Sequence, residues 1–367
     1  MQKGMTKVAL FGIDGGTLAL VEQWKEELPT LKRIMEGGVY GEMLSTVPPM
    51  TCPAWACMFT GKNPGKLGMY DFLSFDLNRA KSRVVDSTDY SSVSLWKILN
   101  SYGKSVGLLN VPITYPPHKV DGFMVCGLGA PETVGVKYTY PPELKGELNQ
   151  IVGGYEITVS VLLALYNQED KCLKNSNEVL RKRVLAAKHL INNYPSDFFA
   201  CVFLISDVIQ HYFWRYMDES HPKHIVDSKY KNVIKDTYKK IDQAIGELIL
   251  ELPSDTNIII TSDHGFGACH GGFVLNKWLE ENGYLKFNRS MHLGNINKGL
   301  RSIRDLLLAH LSPQLVHNII KILPQGVADR INTSGEAKDD AFNLYYNVDW
   351  DKTRAYAVGT ASGGIYI

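Results

Sequence analysis

The chain has 367 residues, of which 45% are hydrophobic and 21% charged, and its 39 Lys and Arg residues almost balance its 38 Asp and Glu residues. This composition excludes a disordered or fibrous protein, and the formal net charge of +1 does not indicate a surface that binds nucleic acid. At roughly 100–200 residues per domain, the length predicts two domains or one large domain with insertions.

Short apolar runs alternate with amphipathic helical patterns along the chain. Strands are predicted at residues 7–13, 105–109, 198–205 and 257–261, and helices at 28–36, 53–60, 93–101, 178–193 and 228–252. Strands that alternate with helices predict an α/β fold with a mostly parallel sheet, whose functional residues follow the carboxyl ends of the strands.

The same pattern predicts how the chain is organised. Residues 1–140 and 196–288 are expected to form two parts of one core domain, and residues 141–195 a helical cap inserted between them. A second helical insertion is expected at residues 289–340. Residues 341–367 return to strand chemistry, and the apolar ending suggests a core strand region truncated at the C-terminus.

No stretch approaches the roughly 18–20 apolar residues of a transmembrane helix, and the apolar run at 8–13 is too short for a signal peptide. The six cysteines contain no C-x-x-C pair, which is typical of reduced thiols. We therefore expect a cytoplasmic protein without a membrane segment. The oligomeric state stays open.

Three predicted strands end in an acidic residue: Asp14, Asp207 and Asp263. In a parallel sheet these carboxylates would meet at one edge, where their mutual repulsion favours a bound cation. His211 follows Asp207 by one helical turn, and His264 is adjacent to Asp263. Mixed Asp and His ligation suits Zn²⁺ or Mn²⁺ better than Ca²⁺. The alternative for any single Asp is a helix N-cap.

A possible nucleophile lies in the segment PPMTCPAW at residues 48–55. Pro53 fits the first turn of a helix, so Thr51 would lie at the helix mouth, where free N–H groups favour phosphate. A divalent cation could activate the Thr51 hydroxyl. Two alternatives stay open: Thr51 is an ordinary N-cap, or Cys52 is the nucleophile, although no histidine partner is close to it in sequence.

Several segments together resemble the alkaline phosphatase superfamily, in its type I phosphodiesterase/nucleotide pyrophosphatase branch and, within that, the phosphohydrolase/phosphomutase-like proteins. They are GIDG at 12–15, PPMTCPAW at 48–55, TGKNPGKLGMYDF at 60–72, NVPITYPP at 110–117, SDVIQH at 206–211, SDHGFG at 262–267 and AYAVGTASGGIYI at 355–367. The resemblance implies an alkaline-phosphatase-like three-layer sandwich and a hydrolase of small-molecule phosphate esters. Monoester and diester substrates both stay open.

The resemblance also implies a site with two divalent metal ions, zinc first, with manganese or magnesium as alternatives. Thr51 would attack phosphorus, and water would then hydrolyse the phosphothreonine. The implied ligands of the first ion are Asp14, Thr51, Asp263 and His264. Those of the second are Asp207, His211 and a third histidine.

At the third histidine this chain departs from the family pattern. The expected G-x-H segment near the C-terminus is missing, and no histidine follows His317. Either the ligand lies beyond Ile367 or another histidine replaces it. His270 is the best internal substitute, although a loop histidine that faces substrate is the preferred interpretation of it.

Five further side chains are weaker candidates for contacts with substrate. Asn110 could donate to a phosphate oxygen, and Lys62 and Lys66 could attract one. Tyr70 and Asp71 lie where related phosphodiesterases carry a phosphate-contacting Asn, but an ionised Asp71 cannot donate a hydrogen bond.

Other functions fit the sequence less well. GIDGGT at 12–17 also resembles the first phosphate loop of sugar kinases, but that reading leaves SDHGFG and SDVIQH without a role. A sulfatase needs Pro two residues after Cys52, where Ala54 stands. A phosphomutase on the same scaffold and an inactive relative that lacks the third histidine remain alternatives.

Overall fold

The structure is a computed structural model that describes residues 6–76, 81–90, 93–131, 136–160, 168–287, 348–357 and 364–367. The chain divides into one compact unit of Met1–Ser74 with Arg83–Gly272 and another of Phe75–Ser82 with Phe273–Ile367. The whole of the predicted insertion at 289–340 lies outside the described residues, and the predicted domain bounds stay a prediction.

A six-stranded sheet forms the centre of the first unit, and this confirms the predicted α/β class. Its strand order is β6-β5-β4-β7-β1-β8, and all neighbours are parallel except β5 and β6. The strands are β1 Val8–Ile13, β4 Val106–Val111, β5 Gly122–Cys126, β6 Thr139–Tyr140, β7 Phe198–Phe203 and β8 Asn257–Thr261. Buried strands such as β4 and β7 read as continuous apolar runs because both of their faces are covered.

Helices connect and flank these strands. They are α1 Leu18–Gln23, α2 Pro29–Gly37, α3 Thr51–Thr60, α4 Pro64–Leu67, α5 Leu95–Ser101, α6 Leu144–Val152, α7 Glu169–Asn193, α8 Ile205–Met217, α9 Val233–Leu250 and α10 Leu275–Glu281. Short strands pair outside the main sheet: β2 Leu73–Asp76 with β3 Lys81–Val84, and β9 Tyr356–Ala357 with β10 Ile365–Tyr366. Among the described helices, none is long and apolar enough to cross a bilayer.

The predicted elements are found, but several bounds differ. Helix α7 begins at Glu169, nine residues before the predicted start. The sequence pattern missed its first turns because they are polar and bury only small side chains such as Cys172 and Ser176. The predicted strand at 198–205 ends at Phe203, since Leu204 already has a helical backbone (φ −84°, ψ −13°). Strands β5 and β6 were not predicted.

Helix α9 carries the apolar stripe that its sequence predicts. Tyr238, Ile241, Ile245 and Leu248 are all buried in the main core. On the same buried side, the Asp242 carboxylate accepts the N–H groups of Thr30 and Leu31 at 3.1 and 2.7 Å, and so caps the start of α2.

Helix α3 packs closely against β1 at a glycine. A Cβ atom on Gly12 would lie 2.3 Å from the ring of Trp55, which is fully buried. The close approach brings α3, and with it Thr51, to the sheet at the strand that ends in Asp14.

Replacing Gly12 should therefore destabilise the fold. We expect Gly12→Val to lower the free energy of unfolding by about 1–3 kcal/mol, because the new side chain overpacks against Trp55. Gly146→Ala is the matched control: it lies in α6 with open space around it and should raise stability by roughly 0.4–1 kcal/mol. Urea denaturation measures both, and equal stability of the two variants would contradict the packing argument.

Candidate metal centre

Three acidic side chains meet where neighbouring strands of the sheet end. Asp14 follows β1 directly, Asp263 lies two residues beyond β8, and Asp207 lies in the first turn of α8, just after β7. Strands β7, β1 and β8 are adjacent in the sheet. The topology therefore brings the three carboxylates together at the carboxyl edge, as the sequence predicts.

Asp14, Asp263 and His264 each offer one ligand atom, and these atoms lie within 4.8 Å of one another. His264 Nε2 lies 3.3 Å from Asp263 Oδ2 and 3.8 Å from Asp14 Oδ1. Both of these oxygens are buried and accept no hydrogen bond. The donor set has unused lone pairs that converge on one point.

The ring of His264 is oriented so that Nε2 can act as a ligand. Its Nδ1 lies 2.9 Å from the carbonyl oxygen of Gly265, and a carbonyl can only accept, so Nδ1 carries the proton. In the neutral ring Nε2 then has a lone pair that can accept a hydrogen bond or bind a cation, and two carboxylate oxygens lie beside it. A hydrogen bond of this kind from the second ring nitrogen is typical of histidines that bind metals.

The carboxylates are hard to ionise in this arrangement. Burial, followed by the charges of Asp263 and Asp207, raises the pKa of Asp14 well above its ordinary value. Burial also raises the pKa of Asp263 to about 6. A divalent cation would reverse this cost, so the residues present fit a metal ion.

Asp207 and His211 form a second pair of possible ligands on α8. Asp207 Oδ1 lies 3.3 Å from His211 Nε2. Burial lowers the pKa of His211, but the hydrogen bond and charge of Asp207 outweigh it and raise the pKa overall. Sequence reasoning missed Phe266, whose ring meets the His211 ring edge-on at 4.8 Å and stacks on Trp214 at 5.3 Å. In the described part of the chain, His270 does not join this pair as a third ligand.

Hydrogen bonds tie the loop after β1 to the loop after β8. The backbone N–H groups of Gly15 and Gly16 donate to Asp263 Oδ1 at 3.1 Å and to Ser262 Oγ at 2.7 Å. The other Asp14 oxygen, Oδ2, accepts the indole N–H of Trp55 at 2.8 Å. Each carboxylate is thus held by one oxygen while its other oxygen stays free.

Helices α8 and α9 hold the same loop from the other side. Gln210 donates to the carbonyl oxygen of Gly15 at 2.9 Å and accepts from the Tyr238 hydroxyl at 3.2 Å. That hydroxyl accepts the N–H of Thr17 at 2.9 Å. Gly15 adopts φ +64°, and a Cβ there would crowd Gln210 and Asp207. In the sequence, this network was indicated only by the position of Gln210 in the SDVIQH motif, between Asp207 and His211.

Thr51 is the first residue of α3, whereas the sequence predicted a helix from Pro53. Met50 is the N-cap residue, and no side chain caps the helix, so the N-cap alternative for Thr51 is wrong. The Thr51 hydroxyl lies 3.3 Å from His264 Nε2 and donates to it if the proton is on Nδ1. The start of α3 therefore opens on the metal centre.

Cys52 is a poor nucleophile in this structure. It is 1% exposed, and burial, followed by the charges of Asp14 and Asp71, raises the pKa of its thiol well above the ordinary value. The thiol stays protonated at neutral pH, and a thiol reacts only as the thiolate. Of the two candidates, only Thr51 has its reactive atom hydrogen-bonded to a candidate metal ligand, and its role as nucleophile stays a prediction.

The candidate substrate contacts are spread more widely. Asn110 is fully buried, and its Nδ2 donates to the Val202 carbonyl oxygen at 3.1 Å, so it ties β4 to β7. Asp71 is buried, whereas three other candidates are exposed: Lys62, Lys66 and His270. A role of any of these residues in binding substrate stays a prediction.

The fold and the site define an α/β protein with a ligand set for a divalent metal at the carboxyl edge of its sheet. The family model of type I phosphodiesterase/nucleotide pyrophosphatase matches residues 8–360. The chain therefore belongs to the type I phosphodiesterase/nucleotide pyrophosphatase family, the branch that its motifs resemble. Comparison with curated protein sequences gives no match.

Two solved structures with a TM-score above 0.5 share the fold at low identity. Phosphonoacetate hydrolase from Sinorhizobium meliloti, solved with phosphonoformate, is 16% identical with a TM-score of 0.52 over 76% of this chain and 62% of that chain. The same hydrolase, solved with phosphonoacetate, is 15% identical with a TM-score of 0.52. An inactive variant of murine ectonucleotide pyrophosphatase/phosphodiesterase 5, in complex with AMP, is 16% identical with a TM-score of 0.46, over 77% of this chain and 63% of that chain. The chain thus spans less than two thirds of these proteins.

Removing the charge of Asp14 should stabilise the metal-free protein and abolish its response to metal. In Asp14→Asn the amide oxygen can still accept from Trp55, and the repulsion among the carboxylates falls, so we expect a gain of about 1–2 kcal/mol. Thermal unfolding of chelator-treated protein, with and without added Zn²⁺ or Mn²⁺, measures both effects.

The control is Asp170→Asn, which removes an exposed carboxylate paired with Lys229 and should keep the metal-induced rise in Tm. An Asp14→Asn protein that is still stabilised by metal as strongly as the wild type would contradict the assignment of Asp14 as a ligand.

Proposed function

We propose that the protein is a metal-dependent phosphoric ester hydrolase of the phosphodiesterase or nucleotide pyrophosphatase type, with Thr51 as its nucleophile. The observation that carries the proposal is the distance of 3.3 Å between the Thr51 hydroxyl and His264 Nε2, beside two buried carboxylate oxygens without a hydrogen-bond partner. Family membership agrees with this chemistry.

The residues of this chain divide the task between two half-sites. In our proposal the first ion is held by Asp14, Thr51, Asp263 and His264, and the second by Asp207 and His211. We propose zinc as the preferred metal. When bound, two such divalent ions supply positive charge that stabilises the oxygens that attack and leave phosphorus. Small-molecule phosphate esters are the proposed substrates.

The protein itself orients the nucleophile and receives the phosphoryl group. Helix α3 begins at Thr51, so its first N–H groups lack partners within the helix and favour an anion beside the hydroxyl. The packing of Trp55 on Gly12 fixes the helix against β1. A nucleophile held in this way loses little entropy on reaching the transition state.

Replacing Thr51 should abolish turnover without unfolding the protein. With Zn²⁺ or Mn²⁺ present, Thr51→Ala should hydrolyse bis-p-nitrophenyl phosphate about 10³-fold or more slowly than the wild type. Thr60→Ala is the control: it removes a hydroxyl at the other end of α3 whose hydrogen bonds all go to backbone atoms, and it should keep full activity.

The outcome distinguishes the proposal from its alternatives. Unchanged turnover in Thr51→Ala would refute the nucleophile, and a protein that binds no divalent metal by elemental analysis would favour an inactive relative. Parallel assays with a monoester and a diester then identify the substrate class.

A further inference from the structure

The ring of Phe266 lies against His211, the histidine of the second half-site. The two ring centroids are 4.8 Å apart and the planes meet at 84°, an edge-to-face arrangement that aromatic rings favour. The neighbouring Tyr212 ring lies farther from His211, at 6.5 Å. Because 59% of the His211 side chain is exposed, the contact with Phe266 covers a ring that water otherwise surrounds.

Phe266 is itself held in place from two directions. Its ring stacks on that of Trp214 at 5.3 Å, and Trp214 is buried in the main core. The loop before it is fixed by the Ser262 hydroxyl, which accepts the N–H of Gly16 and donates to the carbonyl oxygen of His264, both at 2.7 Å. The ring therefore presents a fixed surface to its neighbours.

Two ligand atoms of the second half-site already lie close together, since Asp207 Oδ1 is 3.3 Å from His211 Nε2. A side chain that rotates freely loses conformational entropy when it binds an ion. Holding the imidazole in its binding orientation beforehand reduces that loss and so strengthens binding. Phe266 is placed to do this, because its ring lies against the ring of His211.

We propose that Phe266 is a positioning residue for His211, and that its ring holds the imidazole in the orientation in which Nε2 binds the second metal ion. The inference rests on the two-ion site of the proposed function. Phe266 offers no ligand atom and acts only through His211. Because it lies two residues after His264, one loop supplies a ligand to the first half-site and supports a ligand of the second.

Calorimetric titration of chelator-treated protein with Zn²⁺ tests this role without any measurement of turnover. The wild type should bind two ions, and Asp207→Asn identifies the second because it weakens that ion selectively. Phe266→Leu keeps an apolar side chain against Trp214 but loses the flat ring. We expect it to bind the second ion roughly 10–100-fold more weakly and the first ion as the wild type does.

Phe266→Tyr is the matched control, because it keeps the ring and should bind both ions like the wild type. Thermal unfolding of the metal-free variants shows whether packing has changed. We expect similar Tm values for Phe266→Leu and Phe266→Tyr, so that only the affinity for the second ion separates them.

Several results would overturn the proposal. One is an unchanged affinity for the second ion in Phe266→Leu, and another is an equal loss for both ions, which a general loss of packing explains. An equal loss in Phe266→Tyr would do the same, since the ring is still present. A wild-type protein that binds a single ion would contradict the two-ion site itself, and with it both this inference and the proposed function.

Discussion

The repulsion among carboxylates that meet at the end of β1 is the constraint on which the site depends. Asp14 is fully buried, and its nearest charged neighbours include Asp263 and Asp207. Like charges in a region of low dielectric cannot all ionise without a compensating cation or proton. The surrounding structure leaves the inward oxygens unbonded, which is the condition that a metal ion requires.

The groups that hold this arrangement are not themselves candidate ligands, although Trp55 and Gln210 lie within the recognisable motifs and only Tyr238 lies outside them. Trp55 lies on α3 and Tyr238 on α9, and Gln210 lies on α8 between Asp207 and His211. Each donates or accepts at an atom that orients a ligand loop, so the ligands keep their positions although they repel each other. Supporting contacts of this kind tune metal sites as strongly as the ligands themselves do.

Helix α8 links the metal centre to the buried guanidinium of Arg183 on α7. It carries Asp207 and His211, and its first residue lines a small cavity that Arg183 also lines. Both features bury charge, which a protein stabilises with groups of opposite sign or with hydrogen bonds.

The amino-acid sequence was enough to predict the α/β class, the strands that precede the acidic residues and the family, because hydrophobic periodicity and local motifs are properties of neighbouring residues. It placed Asp207 and His211 one helical turn apart, and the structure has them 3.3 Å from each other. It misjudged the start of α3 and of α7, where weak local signals are decided by packing.

Which distant groups meet can be seen only in the folded chain. The order β7-β1-β8 gathers residues almost 250 positions apart, and Phe266 reaches His211 from another loop. The folded chain also separates the surroundings of Thr51 and Cys52, since burial raises the pKa of the thiol while the Thr51 hydroxyl lies 3.3 Å from His264 Nε2. Such outcomes depend on burial and long-range contact, which no local pattern encodes.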